Sequence, residues 1–253
     1  MEFIGLPLAI GISLLWYLPG IRAQGKNRRL HGKDYWQTAL IFGLLCTCLP
    51  IIVTEVTWDA IFGTPGEGEL GRNILADFFR AALLEELFKF IGFLLAKRKL
   101  RLERKIDYIM IAGLMGLVYG VVEKAVMGSP AAVIAGLLFP LHIMWQFNQG
   151  GHWFEYEKAR AQQNTSLARK EWILAVFVPF LLHGCWDSAL DTIIWCLGRE
   201  DVGGTEILGG VLLVAAVVWA VIYMVKTMKK VLRTARESAM EEASPAEKTL
   251  AAE

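Results

Sequence analysis

The sequence predicts an all-α, polytopic integral membrane protein of seven transmembrane helices, with the N-terminus outside and the C-terminus inside. Three observations carry that reading. Hydrophobic residues make up 55% of the 253 residues, and mean hydropathy is +0.43, more apolar than a soluble domain of this size. The apolar residues gather into seven runs, each about as long as a helix needs to cross roughly 30 Å of hydrocarbon. Lys and Arg, finally, concentrate in alternate loops, which fixes an orientation by the positive-inside rule.

The first run, Phe3–Pro19, follows Met1-Glu2 without the basic stretch of a cleavable signal, so it reads as a retained helix. Arg22–Lys33 then carries five basic residues and belongs inside. The second run, Trp36–Thr57, includes Cys46 and Cys48. Their spacing suits neither a zinc ribbon nor a redox pair, and with Cys185 and Cys196 they read as small apolar fillers. The outer loop Trp58–Arg72 holds the turn-rich "TPGEGELG" and one arginine against three acids. The third run is Asn73–Ala96, and Lys97–Lys105 after it has six basic residues.

The fourth run, Tyr108–Met127, bears a stripe of Gly113, Gly116 and Gly120. Such a stripe lets a neighbouring helix approach closely near Glu123. An uncharged turn at Gly128–Pro130 leads to the fifth run, Ala131–Phe147. Gln149–Glu171 is polar and basic, partly helical, and inside. The sixth run is Trp172–Leu190, with Pro179 able to bend it. Asp191–Glu206 sets Arg199 against four acids outside, and the seventh run is Ile207–Met224. Residues 1–228 thus form one transmembrane bundle, and 229–253 a basic and then disordered cytoplasmic tail ending "EEASPAEKTLAAE". With no internal repeat and no nucleotide-binding loop, the chemistry belongs to the bundle, and nothing points to nucleic acid.

The exceptions to the apolar pattern are informative. "AALLEELFKF" places Glu85, Glu86 and Lys89 in the third run, and an ionised group at the bilayer centre costs about 2.5–3.5 kcal/mol on insertion scales. Lys89 lies three and four residues beyond the two glutamates and can pair with either. A lone Glu–Lys pair serves equally well as a packing lock, and a lone intramembrane histidine is more often a packing residue than a catalyst. Here the fourth run adds Glu123, the fifth His142, and the sixth His183 and Asp187. Counted from the outer helix ends at about 1.5 Å per residue, Glu85 and Glu86 lie roughly 18 Å deep, His142 roughly 17 Å and His183 roughly 10–12 Å. Glu123 and Asp187 fall about one turn from the outer surface. The groups form one outer-to-middle layer, as expected of a hydrated cavity shared by four helices. Asp187, four residues after His183, can fix its tautomer.

These residues carry a resemblance. "LLEELFKF" resembles the E-E-x-x-K motif of the PrsW family of intramembrane proteases, "YGVVEK" its second motif, "FPLHIMW" its third helix and "VPFLLHGCWD" its final H-G-x-x-D. The order and spacing agree over 73–191, the protease-like core. Lys124 stands where the family usually has Asn, and Tyr119 where Phe is common; the first puts an amide hydrogen bond in doubt. PrsW proteins are related to the CAAX proteases and bacteriocin-processing enzymes.

The resemblance implies a peptidase of the bacterial cell membrane that cuts single-span membrane proteins, such as an anti-sigma factor, at or near the outer side. It implies Glu85, Glu86 and His183 as catalytic, with one glutamate activating water. Lys89, Glu123, His142 and Asp187 support them. No metal is required on this reading; in a zinc version, His142, His183 and Glu123 would be ligands and Glu86 the base. The rivals are a proton-coupled transporter, disfavoured by the lack of repeated halves, and an inactive scaffold that binds membrane proteins.

Overall fold

The computed structural model describes residues 2–23, 32–53, 70–127, 140–197 and 205–242, and every element among them is helical. In chain order these are α1 (Glu2–Ala23), α2 (Lys33–Val53), α3 (Leu70–Ala76), a π-helical segment (Asp77–Ala82) and α4 (Leu83–Leu100). After them come α5 (Lys105–Met127), α6 (Leu141–Ala161), α7 (Thr165–Leu197) and α8 (Thr205–Glu242). The loop 54–69, including the first six residues of "TPGEGELG", and the segments 128–139 and 243–253 lie outside the described residues.

The helices follow the hydrophobic runs with one displacement. The fifth run was expected to be helical from Ala131, which would bury His142 three turns deep. Residues 131–139 of that run lie outside the described residues; the described helix begins at Leu141, so His142 sits in its first turn. Pro140 occupies the N-cap position, where its missing N–H costs nothing. From there α6 continues past Phe147 to Ala161, through polar sequence expected to be partly helical. The seventh run likewise continues as helix through the basic residues to Glu242.

Among the described residues three helices are long and apolar enough to cross a membrane, at Lys105–Glu123, Thr165–Leu197 and Ile207–Glu241. The sequence predicts seven spans. The α4 and α6 helices fall short of that measure because each mixes apolar residues with several ionisable ones.

The central helix is α5. Its apolar window is 78% buried, against 28% for α7 and 17% for α8. The α1, α2, α4, α6 and α8 helices pack around it, burying Ile106, Ile109, Met110, Ile111 and Met115. The glycine stripe works as the sequence suggests. A Cβ on Gly116 would stand 2.5 Å from the His142 carbonyl oxygen, and one on Gly113 would run into the Phe147 ring. Glycine is therefore what brings α6, and with it His142, against α5. The α8 helix turns Ile207, Val211 and Val214 outward, each 60–70% exposed, a face suited to lipid.

One end of the bundle is ionic. Lys97 of α4 pairs with Glu157 of α6, Lys105 Nζ lies 2.5 Å from Glu155, and Tyr108 donates to Glu157 at 2.6 Å. His152 Nδ1 lies 2.6 Å from Glu171 of α7, and Lys230 of α8 is 3.4 Å from His152 Nε2. These residues come from, or lie next to, the basic stretches that the charge pattern places inside. Glu86 lies eleven residues along α4 from Lys97 and His183 twelve along α7 from Glu171, roughly 16–18 Å away at helical rise.

Candidate active site

Four helices bring all seven predicted residues together. From α4, Glu86 and Lys89 are almost fully enclosed, 3% and 1% exposed. Glu86 Oε1 accepts from Lys89 Nζ at 2.6 Å and lies 2.9 Å from His183 Nδ1, while its Oε2 accepts from Gln146 at 3.0 Å. Both oxygens of Glu86 are thus committed to the protein. This is the arrangement that makes a buried charge tolerable, because the carboxylate exchanges water for good partners.

His183, on α7, is gripped at both nitrogens. Its Nε2 lies 3.1 Å from Asp187 Oδ2, the i,i+4 contact expected, and 3.7 Å from Glu85 Oε2. The other nitrogen, Nδ1, which a tautomer fixed by Asp187 alone would leave open to water or an oxyanion, is taken by Glu86. His142, from α6, lies 2.7 Å from Glu123 through Nε2 and 3.0 Å from Lys89 Nζ through Nδ1. The two imidazoles meet edge to face with centroids 5.0 Å apart, and Trp145 packs against both. Lys89 also sits 4.0 Å above the Tyr119 ring, a cation–π contact that adds to its enclosure.

Glu85 differs from its neighbour. It is 17% exposed, and its contact to Lys89 is long, at 3.6 Å. Its Oε2 is buried and, among the described residues, makes no hydrogen bond of normal geometry, with Lys89 and His183 at 3.6 and 3.7 Å. Among the described residues, Glu85, His142 and His183 each offer a ligand atom, all within 4.8 Å of one another. The group able to hold a metal ion thus contains Glu85 where the sequence suggested Glu123. Glu123 instead backs His142 at the far ring nitrogen.

Sequence reasoning missed three contributors. Gln146 is fully buried and anchors Glu86; its signal was available, since it lies four residues after His142 on the same face. Trp145 walls both histidines and looks like ordinary apolar filling in the sequence. The π-helical segment Asp77–Ala82 lies directly before the glutamates, and such segments are frequent at functional sites.

A family model described as "PrsW family intramembrane metalloprotease" matches residues 33–227. No curated protein and no solved structure matches the chain significantly. The match takes in all four helices that build the site, and the chain belongs to the PrsW family of intramembrane proteases.

Proposed function

We propose that this protease cuts single-span membrane proteins, such as a membrane-tethered anti-sigma factor, at or near the outer side of a bacterial plasma membrane. The cut would begin regulated intramembrane proteolysis. The bundle would have seven spans, N-terminus out and C-terminus in, and the ionic end described above supports that orientation. One observation carries the chemistry: the buried Oε2 of Glu85, with no hydrogen bond of normal geometry among the described residues, in a group with two histidines.

On this reading Glu85 is the general base. It takes a proton from water, the water oxygen adds to the substrate carbonyl carbon, and a tetrahedral oxyanion forms. The Lys89 charge stabilises that oxyanion, and His183, held at both nitrogens, keeps the Glu86 and Asp187 carboxylates in place around it. Glu85 then returns the proton to the amine as the C–N bond breaks. Glu86 is a positioning residue, because its oxygens are occupied in holding Lys89, His183 and Gln146. Asp187 and Glu123 hold the outer nitrogens of the two imidazoles.

A second reading uses the same residues around a divalent cation. One carboxylate and two imidazoles suit zinc, and the Glu85 oxygen, without a hydrogen bond of normal geometry, fits a ligand awaiting an ion. Glu85, His142 and His183 would hold it, with Glu86 and Glu123 as the carboxylates behind the imidazoles. A zinc ion there would polarise the carbonyl and acidify water.

The test is cleavage of a single-span substrate by the purified chain in vesicles, with and without a chelator. Glu85→Gln is expected to slow cleavage by about 10²–10⁴-fold, the usual worth of a general base, and His183→Ala to abolish it. Cleavage that survives both substitutions sinks the proposal. Loss on chelation with recovery on adding zinc selects the metal version; indifference to chelation selects the glutamate version.

A further inference from the structure

The π-helical segment, α7 and α8 enclose a groove of about 490 Å³. Cys185, Ser188, Ala189 and Thr192, with Trp186 at the edge, form its α7 wall, and Leu212, Ala215, Ala216 and Trp219 its α8 wall. Trp186 aside, each set follows the i, i+3, i+4, i+7 spacing of a single helix face. Phe78 closes the end.

The groove adjoins the active site. The Phe78 ring lies against Gly184, where a Cβ would come within 2.4 Å of it, and Gly184 directly follows His183. Ser188 directly follows Asp187, which contacts His183. The lining is apolar except for features that apolar packing does not need. Ser188 is only 9% exposed, yet its Oγ makes no hydrogen bond of normal geometry. Asp77 lies next to Ser188, close enough to be its acceptor, and among the described residues Asp77 Oδ2 makes no hydrogen bond of normal geometry.

Resting on the protease reading above, we propose that this groove seats the unwound membrane segment of the protein being cut, with Ser188 and Asp77 accepting hydrogen bonds from its backbone. A transmembrane helix must open before its peptide bonds can be attacked, and opening strips backbone N–H groups of partners where no water replaces them. Ser188 in the groove wall, with Asp77 beside it, meets that need. A lipid acyl chain would fill the same volume but would offer these acceptors no donor. The small residues Ala215, Ala216 and Ala189 leave room for a bulky side chain from the substrate, so they determine which segments fit.

Cys185, a free and exposed thiol on the groove wall, provides the test. In a Glu85→Gln, Cys48→Ser chain, a cysteine is moved stepwise along the membrane segment of a single-span substrate and oxidised. One or two adjacent positions should cross-link, and Cys185→Ser should remove the product. Ala216→Trp should abolish the cross-link and, in the otherwise wild-type chain, slow cleavage by roughly tenfold or more; Ala216→Ser should do neither. If no position cross-links, or if Ala216→Trp cleaves as fast as an active wild type, the groove is a lipid site and the proposal fails. A wild type that cuts nothing would instead sink the protease reading.

Discussion

Adjacent glutamates in one helix should separate cleanly by stability. Glu86→Gln removes a negative charge whose Oε1 lies 2.6 Å from Lys89 and whose other partners are His183 and Gln146. Lys89 is 1% exposed, so its ammonium is left with Glu85 at 3.6 Å as its remaining carboxylate. The new amide also sets a donor against the Gln146 amide. Breaking one side of a buried pair typically costs about 3–5 kcal/mol, a large share of the roughly 5–15 kcal/mol that holds a protein folded. At roughly 2–4 °C per kcal/mol for a chain of this size, the melting temperature should fall by about 10 °C. Glu85→Gln meets long contacts and an oxygen with no hydrogen bond of normal geometry, so it should cost less than about 1 kcal/mol. Both variants should lose cleavage, Glu85→Gln while folded and Glu86→Gln through a loosened site. The assay pairs a thermal melt in detergent with cleavage in vesicles. A Glu86→Gln chain that melts like wild type, or a Glu85→Gln chain that melts 10 °C lower, would refute the division of roles.

The helix contact that delivers His142 is open to a graded test. Gly116→Val would drive a Cβ to 2.5 Å from a backbone oxygen that cannot step aside, and should abolish both folding and cleavage. Gly120→Ala meets only the edge of the His142 ring at 3.4 Å and should leave the melting temperature within a few degrees of wild type. At the ionic end, burial holds His152 below the ordinary imidazole range, with Lys230 and Lys105 pushing the same way and Glu171 opposing. The unfolded chain then binds the proton more readily. The stability His152 contributes is therefore fully present above about pH 6.5 and falls as pH drops below it, by at most about 1.4 kcal/mol per pH unit. A series of melts between pH 8 and 5 should show this decline, and His152→Gln should flatten it.

Much of the site is legible in the sequence because hydrocarbon makes polarity conspicuous. Glu85, Glu86, Lys89, Glu123, His142, His183 and Asp187 each stand out from an apolar run, and all seven meet. The glycine stripe likewise announces the helix contact that it makes. The start of α6 was not legible, since a run of apolar residues looks the same whether or not a proline caps a helix within it. Nor were the separate roles of the glutamates. Successive helical residues point about 100° apart, and which of them meets Gln146 depends on how α6 is rotated against α4.

The π-helical segment explains why the groove was invisible too. A wheel drawn for an uninterrupted α-helix carries the 3.6-residue period back from Glu86 through Asp77. Asp77–Ala82 winds more widely, with i→i+5 bonds in place of i→i+4, so every side chain before Leu83 is turned away from its place on that wheel. The turn lets one helix serve two neighbours. Below it, Glu86 and Lys89 face the histidines; above it, Phe78 turns onto Gly184 of α7 and Asp77 comes to rest beside Ser188. A regular helix presenting Glu86 to His183 would aim Asp77 and Phe78 elsewhere, and the groove would lose its closed end. The irregularity thus couples the residues that react to the surface proposed to hold what they react with, and a sequence pattern built on a constant period has no means of showing it.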